Sequence, residues 1–106
     1  MYAESNVKLE NLIAKYPSAR EIEIAELYVA FNYQRLGDYD NAMKYHKRVI
    51  ERGRRSLAVQ SYYWLGVCEL DLGNKETAKG YFKKIITNYR DFPKWVNKAE
   101  TELSKL

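Results

Sequence analysis

His46, Cys68 and a cluster of carboxylates, Glu21, Glu23 and Glu26, are the places where this chain could do chemistry. His46 stands between Tyr45 and Lys47, and its helical neighbours three and four residues away are Ala42, Met43, Val49 and Ile50. An imidazole needs further ligands to hold a metal, or an acid or nucleophile within reach to serve as a base. None stands at a recognisable spacing, so His46 is expected to pack. Cys68 is the only cysteine and can form neither an internal disulfide nor a multi-thiolate site. Lying at helical spacing among Leu65, Val67 and Leu72, it reads as a small core residue. The glutamates fall early in a helix, where they complement its positive end. No glycine-rich phosphate loop and no paired ligand motif occurs. The expectation is a protein that is not an enzyme and takes no cofactor or metal.

Nucleic acid is the other partner that this residue inventory raises. Lys44, Lys47, Arg48, Arg52, Lys79, Lys83 and Lys84 crowd two segments, Arg54 and Arg55 sit between them, and ten tyrosines accompany a net charge of +4. Most of those tyrosines recur at core spacing, which removes them from base stacking, and a one-sided charge run is commonly a solvated helix face. Nucleic-acid binding is therefore ranked below protein binding.

The elements that hold these residues follow from an internal period. Leu36 recurs as Leu72, Gly37 as Gly73, Ala42 as Ala78, Tyr45 as Tyr81 and Ile50 as Ile86, each 36 residues on. Each unit reads as two helices. Ser18 and Glu21 have capping-box spacing, an apolar-periodic run follows to Leu36, and Gly37 supplies the stop. Asp38 and Asn74 are expected N-caps of the second helices, Ser56 is expected to open the helix ending at Leu72, and Asp91 with Pro93 marks the entry to a last one. Six helices are predicted, over about 3–15, 19–36, 39–52, 56–72, 75–89 and 93–105. The single domain divides as a partial repeat (1–17), two repeats (18–53 and 54–90) and a C-terminal capping helix (91–106).

These residues resemble the tetratricopeptide repeat family, through Ala30, Tyr33, Gly37, Tyr39 and Ala42 in the first repeat and Tyr62, Leu65, Gly66, Gly73, Ala78 and Phe82 in the second. The first repeat departs at Glu26 and His46, and the second at Glu69 and Lys75, where large apolar or aromatic residues are usual. The 36-residue period, the Ala-Lys-Tyr-Pro segment at 14–17 and the Tyr-Tyr-Trp-Leu-Gly run at 62–66 look most like bacterial repeats of cell-envelope and division proteins. The resemblance implies an all-α fold of antiparallel hairpins stacked as a short right-handed superhelix. It also implies a non-enzymatic scaffold or adaptor that binds a peptide or partner helix on its concave face. A structural or homo-oligomerising module of a larger assembly factor is the alternative.

First helices of such hairpins line the inner surface. At about 100° per residue, Ile24, Leu27, Phe31 and Gln34 share one side of their helix, and Gln60, Tyr63, Val67 and Leu70 share the matching side of the next. Arg35 and Asp71 stand at the edge. This surface is either covered by a neighbouring helix of the same chain or open to a partner, and both readings stand at this point. Positions that hold a carboxylate clamp in chaperone-binding repeats are Leu27, Phe31, Tyr63 and Val67 here, so that clamp is missing.

With 46% hydrophobic residues, two prolines and five glycines in 106 residues, the chain is of ordinary globular composition. No apolar run approaches the roughly 20 residues that span a bilayer. The opening Met-Tyr-Ala-Glu-Ser-Asn lacks the build of a secretory signal. A soluble protein is expected, cytoplasmic or a periplasmic piece that has lost its address.

Overall fold

The computed structural model describes residues 20–106. Five helices follow one another: α1 (Arg20–Arg35), α2 (Tyr39–Arg52), α3 (Arg55–Asp71), α4 (Lys75–Asn88) and α5 (Pro93–Ser104). All agree with the expected boundaries to within a residue or two. The expected helix over 3–15 and the Ser18 cap lie outside the described residues. No strand occurs among the described residues. Consecutive helices pack together, and α3 also touches α1 and α5, so α1, α3 and α5 form one layer with α2 and α4 on the other side.

The turns inside the two hairpins are copies of each other. Gly37 and Gly73 take φ of 80° and 85°, a left-handed conformation in which any Cβ is strained. The next amide then bonds five residues back, Asp38 N–H to the Tyr33 carbonyl at 2.9 Å and Asn74 N–H to the Glu69 carbonyl at 2.8 Å. These bonds satisfy helix-end carbonyls that would otherwise lack donors.

The helix starts diverge from expectation. The Asp38 carboxylate does accept from the Asn41 amide, at 3.3 Å. Asn74 does not cap α4, because its side-chain amide donates to Glu69 Oε2 at 3.1 Å. Helix α3 starts at Arg55, one residue before Ser56, and has no side-chain cap. At the entry to α5, Phe92 is the cap residue with Pro93 first in the helix, and Asp91 is occupied by Arg55.

Helix α3 is apolar nearly all round, and so it sits in the middle, covered by α1, α2, α4 and α5. One cluster joins Val59 and Tyr63 of α3 to Ala78, Phe82 and Ile85 of α4 and to Val96 and Ala99 of α5. Ile22, Ala25, Val29 and Ala30 of α1 meet Tyr45 of α2 in another. Ala30, Ala42 and Ala78 are wholly buried at the helix crossings, as expected of small residues there. The crossing of α3 and α4 is tight: a Cβ added at Gly66 would stand 2.6 Å from the Phe82 ring. Fully burying an aromatic such as Phe82 stabilises by roughly 1.5–3 kcal/mol, so the close approach of the two helices is energetically favourable.

Candidate partner-binding face

Between α1 and α3, on the layer they share, lies a cleft of about 620 Å³. Tyr28, Phe31, Asn32, Gln34 and Arg35 of α1 line one wall, and Trp64 and Asp71 of α3 the other. Four of the residues expected on the inner surface, Phe31, Gln34, Arg35 and Asp71, are thus brought together. The remaining six are not in its lining. Leu27 and Tyr63 are buried, so they belong to the packing of the chain and not to its open surface. Val67 and Leu70 pack partly buried against the α3–α4–α5 cluster. Gln60 turns back to donate to the Ser56 carbonyl at 3.0 Å. Ile24 is open to solvent at 44% exposure, one helical turn from Tyr28 at 57%.

Tyr28, Asn32 and Trp64 are the lining residues that helix geometry alone missed. The repeat itself carried the signal for two of them, because Trp64 is Tyr28 moved on by 36 residues. An aromatic at both equivalent positions marks the line along which α1 and α3 face each other.

The Phe31 and Trp64 rings meet edge to face at 5.1 Å across the cleft floor. From there aromatic contacts continue along the layer, Trp64 to Tyr63 at 5.1 Å and Tyr63 to Trp95 of α5 at 5.5 Å. The first two contacts are edge to face and the third is tilted at 58°, so the Phe31–Trp64 floor is held in orientation by Tyr63 beneath it. Tyr63 donates to Glu102 Oε1 at 3.3 Å, and burial, followed by that carboxylate, pushes its phenol pKa up. In the cleft wall, Trp64 Nε1 and Gln34 Oε1 are buried without a hydrogen-bond partner among the described residues. The two charges on the cleft are opposite in sign, Arg35 and Asp71, and Asp71 accepts from the Tyr39 hydroxyl at 3.2 Å.

One correction concerns His46, for which no nucleophile was expected nearby. Its Nδ1 lies 3.1 Å from Ser61 Oγ. Both residues are fully buried, and burial drives the imidazole pKa down to about 3. A base and a hydroxyl that no substrate reaches are packing groups, and His46 stands at the place that Phe82 takes one repeat on. Cys68 is likewise buried, and burial, then the charges of Asp71 and Glu69, pushes its thiol pKa up to about 12. At neutral pH such a thiol is almost wholly protonated and unreactive. Among the described residues no group of three His, Cys, Asp or Glu side chains is placed to hold a metal. No helix among them is long and apolar enough to cross a membrane.

Stacked antiparallel hairpins, glycine stops and small residues at each crossing define a helical-repeat protein. Two models of the tetratricopeptide repeat match the chain, one over residues 29–52 and one over residues 60–91. The chain belongs to the tetratricopeptide repeat family. Repeats of this family generally mediate protein–protein interactions and are typically non-enzymatic. No curated protein and no solved structure matches.

Proposed function

We propose that this chain is a non-enzymatic scaffold that holds a peptide or partner helix in the cleft between α1 and α3. The observation that carries the reading is the cleft's own lining, with Tyr28 mostly exposed above a fixed Phe31–Trp64 floor. Aromatic anchors of this kind give large contact area for little lost side-chain freedom, and they dominate binding energy at protein interfaces. Ile24 extends the apolar strip along α1, while Arg35 and Asp71 at the far end supply opposite charges that would set the partner's direction. A homo-oligomerising role is the second reading, favoured by Leu36 and Leu72, which stand about half exposed at equivalent points one repeat apart.

A random peptide library selected on the immobilised chain tests the first reading. Selected peptides should lose at least about tenfold in affinity to the Tyr28→Glu variant. The exposed Lys47→Glu variant, on α2, should bind them as well as wild type. Peptides indifferent to Tyr28→Glu would sink the cleft as the binding site. Light scattering on the same preparation decides the second reading, since a self-assembling module must exceed the monomer mass.

A further inference from the structure

We infer that the segment held in the cleft is acidic beside its apolar anchor: a partner peptide whose bulky apolar side chain sits over Phe31 and Trp64 and whose carboxylates reach Lys94 and Lys98. This rests on the cleft being the binding site and adds the chemistry of the occupant. The aromatic row leads from the cleft floor to α5 in two steps of 5.1 and 5.5 Å, through Tyr63 to Trp95. Tyr63 is buried and supports this path from below, and an extended peptide crossing over it from Trp64 to Trp95 covers the distance in about three residues at ~3.3 Å each. At the far end two ammonium groups border the last rings. Lys94 Nζ lies 5.5 Å from the Trp95 centroid, and Lys98 Nζ lies 5.4 Å from Trp95 and 5.7 Å from Tyr63.

Both lysines are exposed, and among the described residues neither forms an ion pair, unlike Lys105, which reaches Glu102 at 3.7 Å. Arg35 offsets Asp71 in the cleft and Lys105 offsets Glu102, which accepts from Tyr63, so Lys94 and Lys98 leave the balance along this line positive at its α5 end. Resting on aromatic faces, the ammonium groups are held near the row without being neutralised, so they remain available to a carboxylate. A neutral or basic occupant would leave this complementarity unused.

Isothermal titration of three short synthetic peptides against the intact chain provides the test. All carry the same apolar anchor, and residues about three positions to either side of it are Glu, Gln or Lys. At low salt the Glu peptide should bind about three- to tenfold more tightly than the Gln peptide, and the Lys peptide more weakly than either. High salt should erase the ranking. The Lys94→Gln/Lys98→Gln variant should keep the Gln peptide's affinity and lose the Glu advantage. Equal binding of Glu and Gln peptides, or an advantage that survives the double variant, overturns the inference. Tighter binding of oligothymidylate or phosphatidylserine vesicles through the same two lysines also overturns it. If the Gln peptide binds and Tyr28→Glu abolishes that binding while Glu adds nothing, the acidic partner falls and the cleft stands. If no peptide of the set binds, the inference falls, and the library selection judges the cleft separately.

Discussion

The α1–α2 and α3–α4 hairpins share one backbone plan and fill it with different chemistry. Where Tyr62 of α3 meets Tyr81 and Tyr89 in the second hairpin, the first has Glu26, which is 1% exposed and paired with Arg52 and Arg48 of α2. Seven residues further along the same helices the types are exchanged. Tyr33 stacks on Tyr45 at 5.9 Å in the first hairpin, and Glu69 takes the matching place in the second, where it receives the Asn74 amide. Each hairpin thus gives its second-helix tyrosine one aromatic partner, Tyr33 for Tyr45 and Tyr62 for Tyr81, from opposite ends of the facing helix. At the crossing, Ala30 and His46 occupy the places of Gly66 and Phe82. The larger ring goes with the residue that has no Cβ. Side-chain volume and aromatic pairing are kept between the repeats, while the residues that provide them are not.

The largest expected effect separates the two crossings by pH. His46 titrates near 6.5 in the unfolded chain and, being buried, at about 3 in the fold. Because the folded value is the lower one, the stability held by the neutral ring is complete above pH 6.5 and drains away as pH falls towards 3. Denaturant unfolding should show wild type losing roughly 3 kcal/mol between pH 7 and pH 4 beyond the loss of His46→Leu. Parallel pH profiles would mean that the ring is protonated in the fold and that the first hairpin is not the acid-sensitive one.

A middle-sized effect belongs to the second crossing. Gly66→Ala drives a methyl against the Phe82 ring and should cost about 1–3 kcal/mol. Ala30→Gly, at the equivalent place, should cost only about 0.5–1 kcal/mol. Combining Gly66→Ala with Phe82→Leu should give a coupling above about 0.5 kcal/mol, and additive losses would break the claim that the two positions share one volume.

The smallest effect lies where the second hairpin is tied to α5. Arg55 reaches Asp91 Oδ1 at 2.6 Å and the Asn88 carbonyl at 2.7 Å, and its hydrogen bond to Asp91 is the main reason that carboxyl's pKa is lowered. The group is open to water, so Arg55→Ala should move the thermal midpoint less than Gly66→Ala does, and less still in high salt. A larger shift than that of Gly66→Ala would invert the ranking of core over surface on which the comparison rests.

Translational spacing made the hairpins readable from sequence, because a glycine that must take positive φ and an alanine at a crossing are demanded by the backbone wherever it repeats. Caps were less legible. Asp38 and Asn74 stand at equivalent positions, yet only Asp38 caps. The residue five places before Asn74 is Glu69, which captures its side chain, whereas five places before Asp38 is Tyr33, which offers no carboxylate. Glu26 was readable as a departure from pattern, but its arginine partners lie on the next helix, at a separation no local rule specifies. The same holds for the cleft. Helical geometry put Phe31 and Tyr63 on one surface, but how α1 and α3 sit against each other depends on packing, and that decided that Trp64 lines the cleft while Tyr63 is covered.

Cys68, sealed inside the central helix, gives the molecule a built-in clock for its own breathing. It is the only sulfhydryl in the chain, and the fold must part around α3 before a disulfide reagent can touch it. The modification rate under native conditions therefore counts excursions in which the two hairpins separate. Any occupant that bridges α1 and α3 will slow that count in proportion to how firmly it holds them.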